Sequence, residues 1–162
     1  MVDRNVTPKG GLVVRPLRHG DVRTVMWVFE RLSERSRRSR FHGAKPCLSR
    51  SDLRALASVD RNRRALVAYM GHDPKPVAIA RLVREGSSAE IAFAVADEYQ
   101  RRGIGTRLAG ELVAEARAEG VKEITALVSA DNPAAVSLLR RIANVLSVRF
   151  EGSDLSIRAA IA

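Results

Sequence analysis

The stretch Ala96–Gly120, ADEYQRRGIGTRLAGELVAEARAEG, sets two arginines and two glycines directly ahead of an amphipathic run. Ile104, Leu108 and Leu112 stand four apart, which predicts a helix from about Gly103 or Gly105 to Glu119, with Gly120 as its C-terminal stop. The first amides of a helix lack internal partners and carry partial positive charge. Glycine lets such amides approach a ligand with no Cβ in the way. Arg101 and Arg102 add full charges, so Gln100–Thr106 reads as a seat for a phosphate or diphosphate. Two common phosphate seats are excluded. Leu108 stands where a dinucleotide fold needs glycine or alanine, and no Gly-Lys-Ser/Thr triplet occurs in the chain.

Working outward, AEIAFAVA (Ala89–Ala96) predicts the strand that feeds this turn, and EITALVS (Glu123–Ser129) the strand after the helix. DNPAAVSLLRR then opens a helix with Pro133 in its first turn, where a missing N–H does no harm. Upstream, LVVRPL (Leu12–Leu17) predicts a first strand. Asp21 caps a helix reaching about Leu32, with Val22, Val25, Met26 and Phe29 on its apolar face and Trp27 expected in the core. SERSRRSRFHG follows as a basic segment, and a short helix starts near Ser49 or Ser51 with Leu53, Leu56 and Ala57 inward. ALVAYM (Ala65–Met70) and VAIARLVR (Val77–Arg84) form a hairpin around GHDPKP. VLSVRF and LSIRAAI close the chain as two strands around EGSD. Met1–Gly11 is expected to be a loose polar leader, and residues 12–162 one mixed α/β domain with antiparallel central hairpins.

The 162 residues suit one well-buried domain rather than two. Lysine and arginine total 28 against 18 acids, a net +10 that favours acidic partners without naming one. Cys47 is the single cysteine, and His19, His42 and His72 are scattered, so no metal site is expected. No signal-peptide layout or membrane-length apolar run is present, which points to the cytoplasm. Aromatic stacking platforms are scarce, which ranks nucleic-acid binding last.

Gln100-Arg101-Arg102-Gly103-Ile104-Gly105, placed between a strand and a helix, resembles the signature of the GCN5-related N-acetyltransferase (GNAT) superfamily. The segment VSADNPAAVSLL resembles that family's next strand-to-helix passage, and the likeness extends from about Leu12 to the C-terminus. It implies a mainly antiparallel sheet flanked by about four helices, with a splayed parallel strand pair as the cleft for acetyl-CoA. The backbone of Ala94, Val95 and Ala96 would pair with pantetheine, Gln100 to Thr106 would hold the diphosphate, and Asn132 would contact the pantetheine arm. RLSERSRRSRFHG and VDRNRRALVAY further resemble the catalytic domain of bacterial protein lysine acetyltransferases that modify acyl-CoA synthetases. In that group a cyclic-nucleotide or ligase-like module often accompanies the domain, and none is expected within this length.

The resemblance implies a protein lysine as acceptor and Glu90 as general base, directly or through water. Read without it, Glu90 is a strand carboxylate open to solvent or to a salt bridge. Asp97 and Glu98 are weaker candidates, since carboxylates in the entry loop repel phosphate. A backbone N–H near Val95 would meet the oxyanion. The family often carries a tyrosine as general acid where Leu139 stands here. The run Arg35, Arg37, Arg38 and Arg40 is either a solvated helix surface or a basic rim for an acidic protein surface around the target lysine, with Phe41 and His42 beside it. Small-amine acetylation and CoA binding without turnover stand as alternatives, and the protein is expected to be a monomer or homodimer.

Overall fold

The computed structural model describes residues 11–161, so residues 1–10 of the expected leader lie outside the described residues. Strand β1 (Leu12–Pro16) leads to α1 (Val22–Glu30), α2 (Glu34–Phe41) and α3 (Arg50–Leu56). Then come β2 (Arg63–Met70), β3 (Ala78–Glu85), β4 (Ser88–Val95), a 3-10 turn (Asp97–Tyr99) and α4 (Ile104–Ala118). β5 (Glu123–Ser129), α5 (Pro133–Ile142), β6 (Asn144–Glu151) and β7 (Asp154–Ala160) complete the order. The seven strands form one sheet in the order β1-β2-β3-β4-β5-β7-β6, antiparallel throughout except between β4 and β5.

Side-chain alternation along β4 divides the molecule. Ala89 and Ile91 enter the larger core, packed with Leu108, Leu112 and Ala116 of α4 and Leu139 of α5. Ala92 and Ala94 turn to the other face, toward α1, α2 and α3. A smaller core there joins Val25, Leu53, Ala57, Ala65 and Val67.

The sequence expectation holds for a mainly antiparallel α/β sheet, with five α-helices among the described residues instead of about four. The addition is α2, made from the basic segment whose arginine run reads in sequence as either a solvated helix surface or a basic rim. It buries no residue. Its helicity comes from Ser33, whose side chain caps Ser36 N–H at 3.1 Å, and from anchors at both ends described below. The inward face of α1 also differs. Thr24, Val25, Val28 and Phe29 are buried, whereas Val22 and Met26 are exposed. Trp27 is half-buried at the surface, with Arg23 and Lys75 against its ring. Thr24 is tolerated inside because its hydroxyl donates to Asp21 Oδ2 at 2.6 Å.

Leu108 has no exposed surface and fixes α4 to the sheet. Leu108→Ala should cost about 2–5 kcal/mol, read as a lower midpoint in urea unfolding.

Candidate active site

Only three residue pairs join β4 to β5: Ser88 with Glu123, Ala89 with Ile124 and Glu90 with Thr125. Beyond them the strands part. β4 stays paired with β3 along all eight residues, and β5 stays paired with β7 along all seven. Each strand of the opening is therefore held on its outer side and open on its inner side. The first turn of α4 fills the wide end from below. A Cβ on Gly105 would stand 3.0 Å from Leu138 Cδ1 and 3.4 Å from Val95 Cγ2. Gly105 thus serves close packing between α4, α5 and the end of β4, in addition to any approach of its amide to a ligand.

Which backbone groups face the opening follows from one hydrogen bond. Ala96 N–H donates to Val77 O at 2.8 Å, and Tyr99 N–H donates to Ala96 O at 2.8 Å. In an antiparallel ladder every second residue points the same way. Ala96 and Ala94 therefore direct their backbone toward β3, and Phe93 and Val95 direct theirs toward β5. Of the three residues expected to pair with pantetheine, Val95 faces the cleft. Phe93 joins it, a position that strand alternation could have revealed.

The start of α4 is open. Asp21, Ser33, Ser49 and Asn132 cap the other four helices with their side chains, whereas Gly103 at the N-cap of α4 supplies none. No acid lies in the first turn. Gly103 is left-handed at φ 78° and Arg101 at φ 62°, a conformation that costs a non-glycine residue about 1–3 kcal/mol. Arg101, Arg102 and Gly103 are exposed, Thr106 half-buried, and Ile104 and Gly105 buried. Gln100 Nε2 donates to Val95 O at 3.0 Å and to Ser36 Oγ at 3.1 Å, tying the turn to both β4 and α2. Asn132 Oδ1 accepts Ala135 N–H at 3.2 Å as the cap of α5, which leaves its amide N–H groups for another partner.

Glu90 is the last β4 residue paired across the opening, so it stands at the apex. It is exposed, on the same face as Ala92 and Ala94. That face holds a recess of about 410 Å³, its open mouth included, lined by α1, α2 and α3 residues and by Ile79, Arg81, Ala92 and Ala94. Arg40 and Arg81 both reach it. Burial, then the neighbouring Arg81, lowers Arg40 to about 10, with Glu90 opposing the shift. Burial, then Arg63, lowers Arg81 as well, against the pull of Asp60. The half-buried cation Arg81 was legible in VAIARLVR as a charge within a central strand.

The arginine run splits into different roles. Arg37 donates to Phe29 O at 3.3 Å and Pro46 O at 3.1 Å and stacks on Phe29, so it braces the fold. Arg38 pairs with Glu34 at 3.2 Å, and only Arg35 and Arg38 are exposed. Phe41 lines the recess, edge-on to Phe29 at 5.8 Å. His42 turns away, its Nδ1 3.2 Å from Asp154 Oδ1 at the start of β7.

Asp97 and Glu98 are structural ties. Asp97 accepts Ser33 N–H at 2.9 Å and Ser33 Oγ–H at 2.7 Å. Burial pushes Asp97 up, but these bonds from Ser33, with Ser36 behind them, hold it below its ordinary value. Arg31 pairs with Glu98 and, at 2.8 Å, with Asp73. Asp73 also accepts Tyr99 Oη–H at 3.0 Å and Lys75 N–H at 3.0 Å. The hydrogen bond from Arg31, then that from the Lys75 amide, brings Asp73 down to about 2. Leu139, where the family often has a tyrosine, is fully buried in the larger core. Among the described residues no group of histidine, cysteine, aspartate and glutamate could hold a metal ion, and no helix is long and apolar enough to cross a membrane.

A cleft opened between two parallel strands and closed by an uncapped helix start defines an acyltransferase architecture, and comparison with known proteins agrees. Residues 28–143 match the model of the Acetyltransferase (GNAT) family, and the chain belongs to that family of acetyl-CoA-dependent N-acetyltransferases. It is 42% identical over 84 residues to acetyltransferase Pat of Mycolicibacterium smegmatis, a match covering 50% of this chain and 24% of that protein. The GNAT domain of S. lividans PAT superposes with a TM-score of 0.80 at 26% identity, covering 91% of this chain and 89% of that one. A cAMP-binding acyltransferase from Mycobacterium smegmatis superposes with a TM-score of 0.62 at 30% identity, covering 93% of this chain and 44% of that one. The match thus spans about a quarter of the length of Pat, and the chain covers under half of the cAMP-binding enzyme.

The Asp73 ties have a pH signature. A carboxylate held near 2 in the folded state, against about 3.9 unfolded, stabilises the fold fully above the unfolded value. That stability is lost as pH falls toward about 2. Urea unfolding of Asp73→Asn should show lower stability at neutral pH, with the gap to the unsubstituted chain closing across the window from about pH 4 to about pH 2.

Proposed function

We propose that the chain transfers an acetyl group from acetyl-CoA to a lysine amine of a protein substrate. The observation that carries this is the β4–β5 opening that runs from Glu90 at its apex to the uncapped start of α4 at its mouth. Amides of Arg101 to Thr106, with the Arg101 and Arg102 guanidiniums, hold the diphosphate, and the inward backbone of Phe93 and Val95 pairs with pantetheine. The free amide group of Asn132 faces the same arm.

Lysine is mostly protonated near neutrality, with a reference pKa of about 10.4. Glu90 accepts that proton. It stands four positions from Ala94, about 13 Å along an extended strand, so water carries the proton across. The amine nitrogen then bonds to the thioester carbon, Val95 N–H steadies the oxyanion, and the carbon–sulfur bond breaks. Leu139 offers no proton, so CoA, a thiol with a pKa of about 8.5, departs as thiolate, and the second proton of the attacking nitrogen passes through water to it.

Pat-like relatives and the exposed cations of α2 support a protein acceptor with acidic residues around its lysine, an acyl-CoA synthetase being one candidate. Residues 12–162 act as one catalytic unit, and the exposed thiol of Cys47 suits a reducing cytoplasm. Leu139 favours one other reading, CoA binding without turnover.

Calorimetric titration should show acetyl-CoA binding with a Kd of roughly 1 μM to 1 mM and no binding of ATP or NAD. Failure to bind CoA would refute the diphosphate seat. Glu90→Gln should lower acetyl transfer by about 10²–10⁴-fold while CoA still binds. Equal transfer by both forms would remove Glu90 as base, and no transfer by either would leave a CoA-binding module. Arg35→Glu with Arg38→Glu should raise KM for a protein acceptor, and an unchanged KM would remove the basic rim.

A further inference from the structure

We propose that the recess between α1, α2, α3 and the β3–β4 hairpin binds an aliphatic carboxylate, gripped by Arg40 and Arg81, next to the reacting acyl group. The inference rests on the acyl-CoA reading above and names a selectivity that reading does not contain.

Three observations converge. The walls are apolar, with Val25, Phe29, Leu48 and Ile79 among them, and the β4 floor is Ala92 and Ala94, side chains small enough to leave room. Into this recess project two guanidiniums from different elements, Arg40 from α2 and Arg81 from β3. Neither forms an ion pair with a carboxylate among the described residues, although Arg31, Arg64, Arg107 and Arg158 all do. Arg81 gives Nη1–H to Leu56 O at 2.5 Å, which holds the side chain without neutralising it. Arg40 has only the face of Phe41, 4.9 Å from its ring centroid.

A half-buried cation gains from a counter-charge, and two that repel each other gain more. Burial, then repulsion from Arg81, already weakens the proton's hold on Arg40. A guanidinium offers forked N–H donors that match one carboxylate in the plane. The aliphatic part of the ligand would lie on the apolar wall, and its carboxylate would bridge the two arginines. Glu90 shares this face and acts on Arg40 through space without pairing with it, so the arginines stay available.

The same chemistry has two sources: the free end of a dicarboxylic acyl group on CoA, or an acidic side chain flanking the acceptor lysine. Position on β4 fits both, since the acyl group and the amine must meet above Ala94.

The test compares two ratios, one of binding and one of transfer, in the unsubstituted chain, Arg40→Met and Arg81→Met, each checked for folding by thermal melting. Calorimetry with succinyl-CoA and butyryl-CoA should give a preference of about tenfold or more for the charged chain, falling to about one in both variants, if the carboxylate belongs to the acyl group. Acetyl transfer to a lysine peptide flanked by glutamate, against the same peptide with glutamine, should show that arginine-dependent preference if it belongs to the acceptor. Glutarate alone should shift the amide resonances of Ala92 and Ala94 in the unsubstituted chain and not in the variants. No glutarate shift, with both ratios near one in the unsubstituted chain, overturns the proposal, and so do preferences that survive in Arg40→Met and Arg81→Met. Failure of every CoA thioester to bind, with glutarate still shifting Ala92 and Ala94, would instead overturn the acyl-CoA reading and keep the carboxylate site.

Discussion

The parallel pairing of β4 with β5 ends after Glu90 and Thr125, and the rest of the site depends on that limit. A sheet that opens in its middle exposes backbone donors and acceptors where a neighbouring strand would normally satisfy them. Two outer ladders make the opening stable. β3 grips β4 to its last residue, and β7 grips β5 to Ser129. The end of β5 is fastened further by Ala130 N–H to Ser153 O at 3.0 Å. Between the two ends sits the first turn of α4, packed so closely at Gly105 that no side chain fits without displacing Leu138. The cleft is thus built into the fold's pairing rather than into a flexible loop.

On the opposite face α2 crosses the same opening. Its N-terminal end is tied to the loop after β4 through Ser33–Asp97 and Ser36–Gln100, and His42 past its C-terminal end meets Asp154 of β7. It therefore touches both sides of the parting strands while burying none of its own residues. Its arginines acquire different work from where each points. Arg37 braces α1, Arg38 and Arg35 meet solvent, and Arg40 enters the recess.

Much of the fold was legible because its signals are local. The four-residue spacing in ADEYQRRGIGTRLAGELVAEARAEG located α4, and the alternating EITALVS gave β5 its observed bounds. The expectation of an anion seat rests on two glycines and two arginines at a helix start, and that start is left without a side-chain cap. What the sequence hid depends on contacts between elements. ERSRRSRF has no apolar face, so periodicity could not announce α2, whose cap Ser33 is local but whose anchors Asp97, Gln100 and Asp154 lie far along the chain. Helix α1, VRTVMWVFE, is apolar around most of its circumference, and the face that turns inward is set by β3 and α3 rather than by spacing. Strand alternation groups Phe93 with Val95 and Ala94 with Ala96, and the pairing with β3 sets which group faces the opening. Asp97 and Glu98 rank below Glu90 as candidate bases in sequence, and the structure spends them on holding α1 and α2 in place.

The most direct test of the open cleft is residue-resolved amide hydrogen exchange, measured with and without CoA. Protection gained at Phe93, Val95, Ile104, Gly105 and Thr106, with Ala94 and Ala96 little changed, is the predicted result. Those five amides would then be the groups that the parted strands and the uncapped helix leave for the ligand. Protection absent from them, or gained only at the arginines of α2, would contradict the cleft as the CoA site.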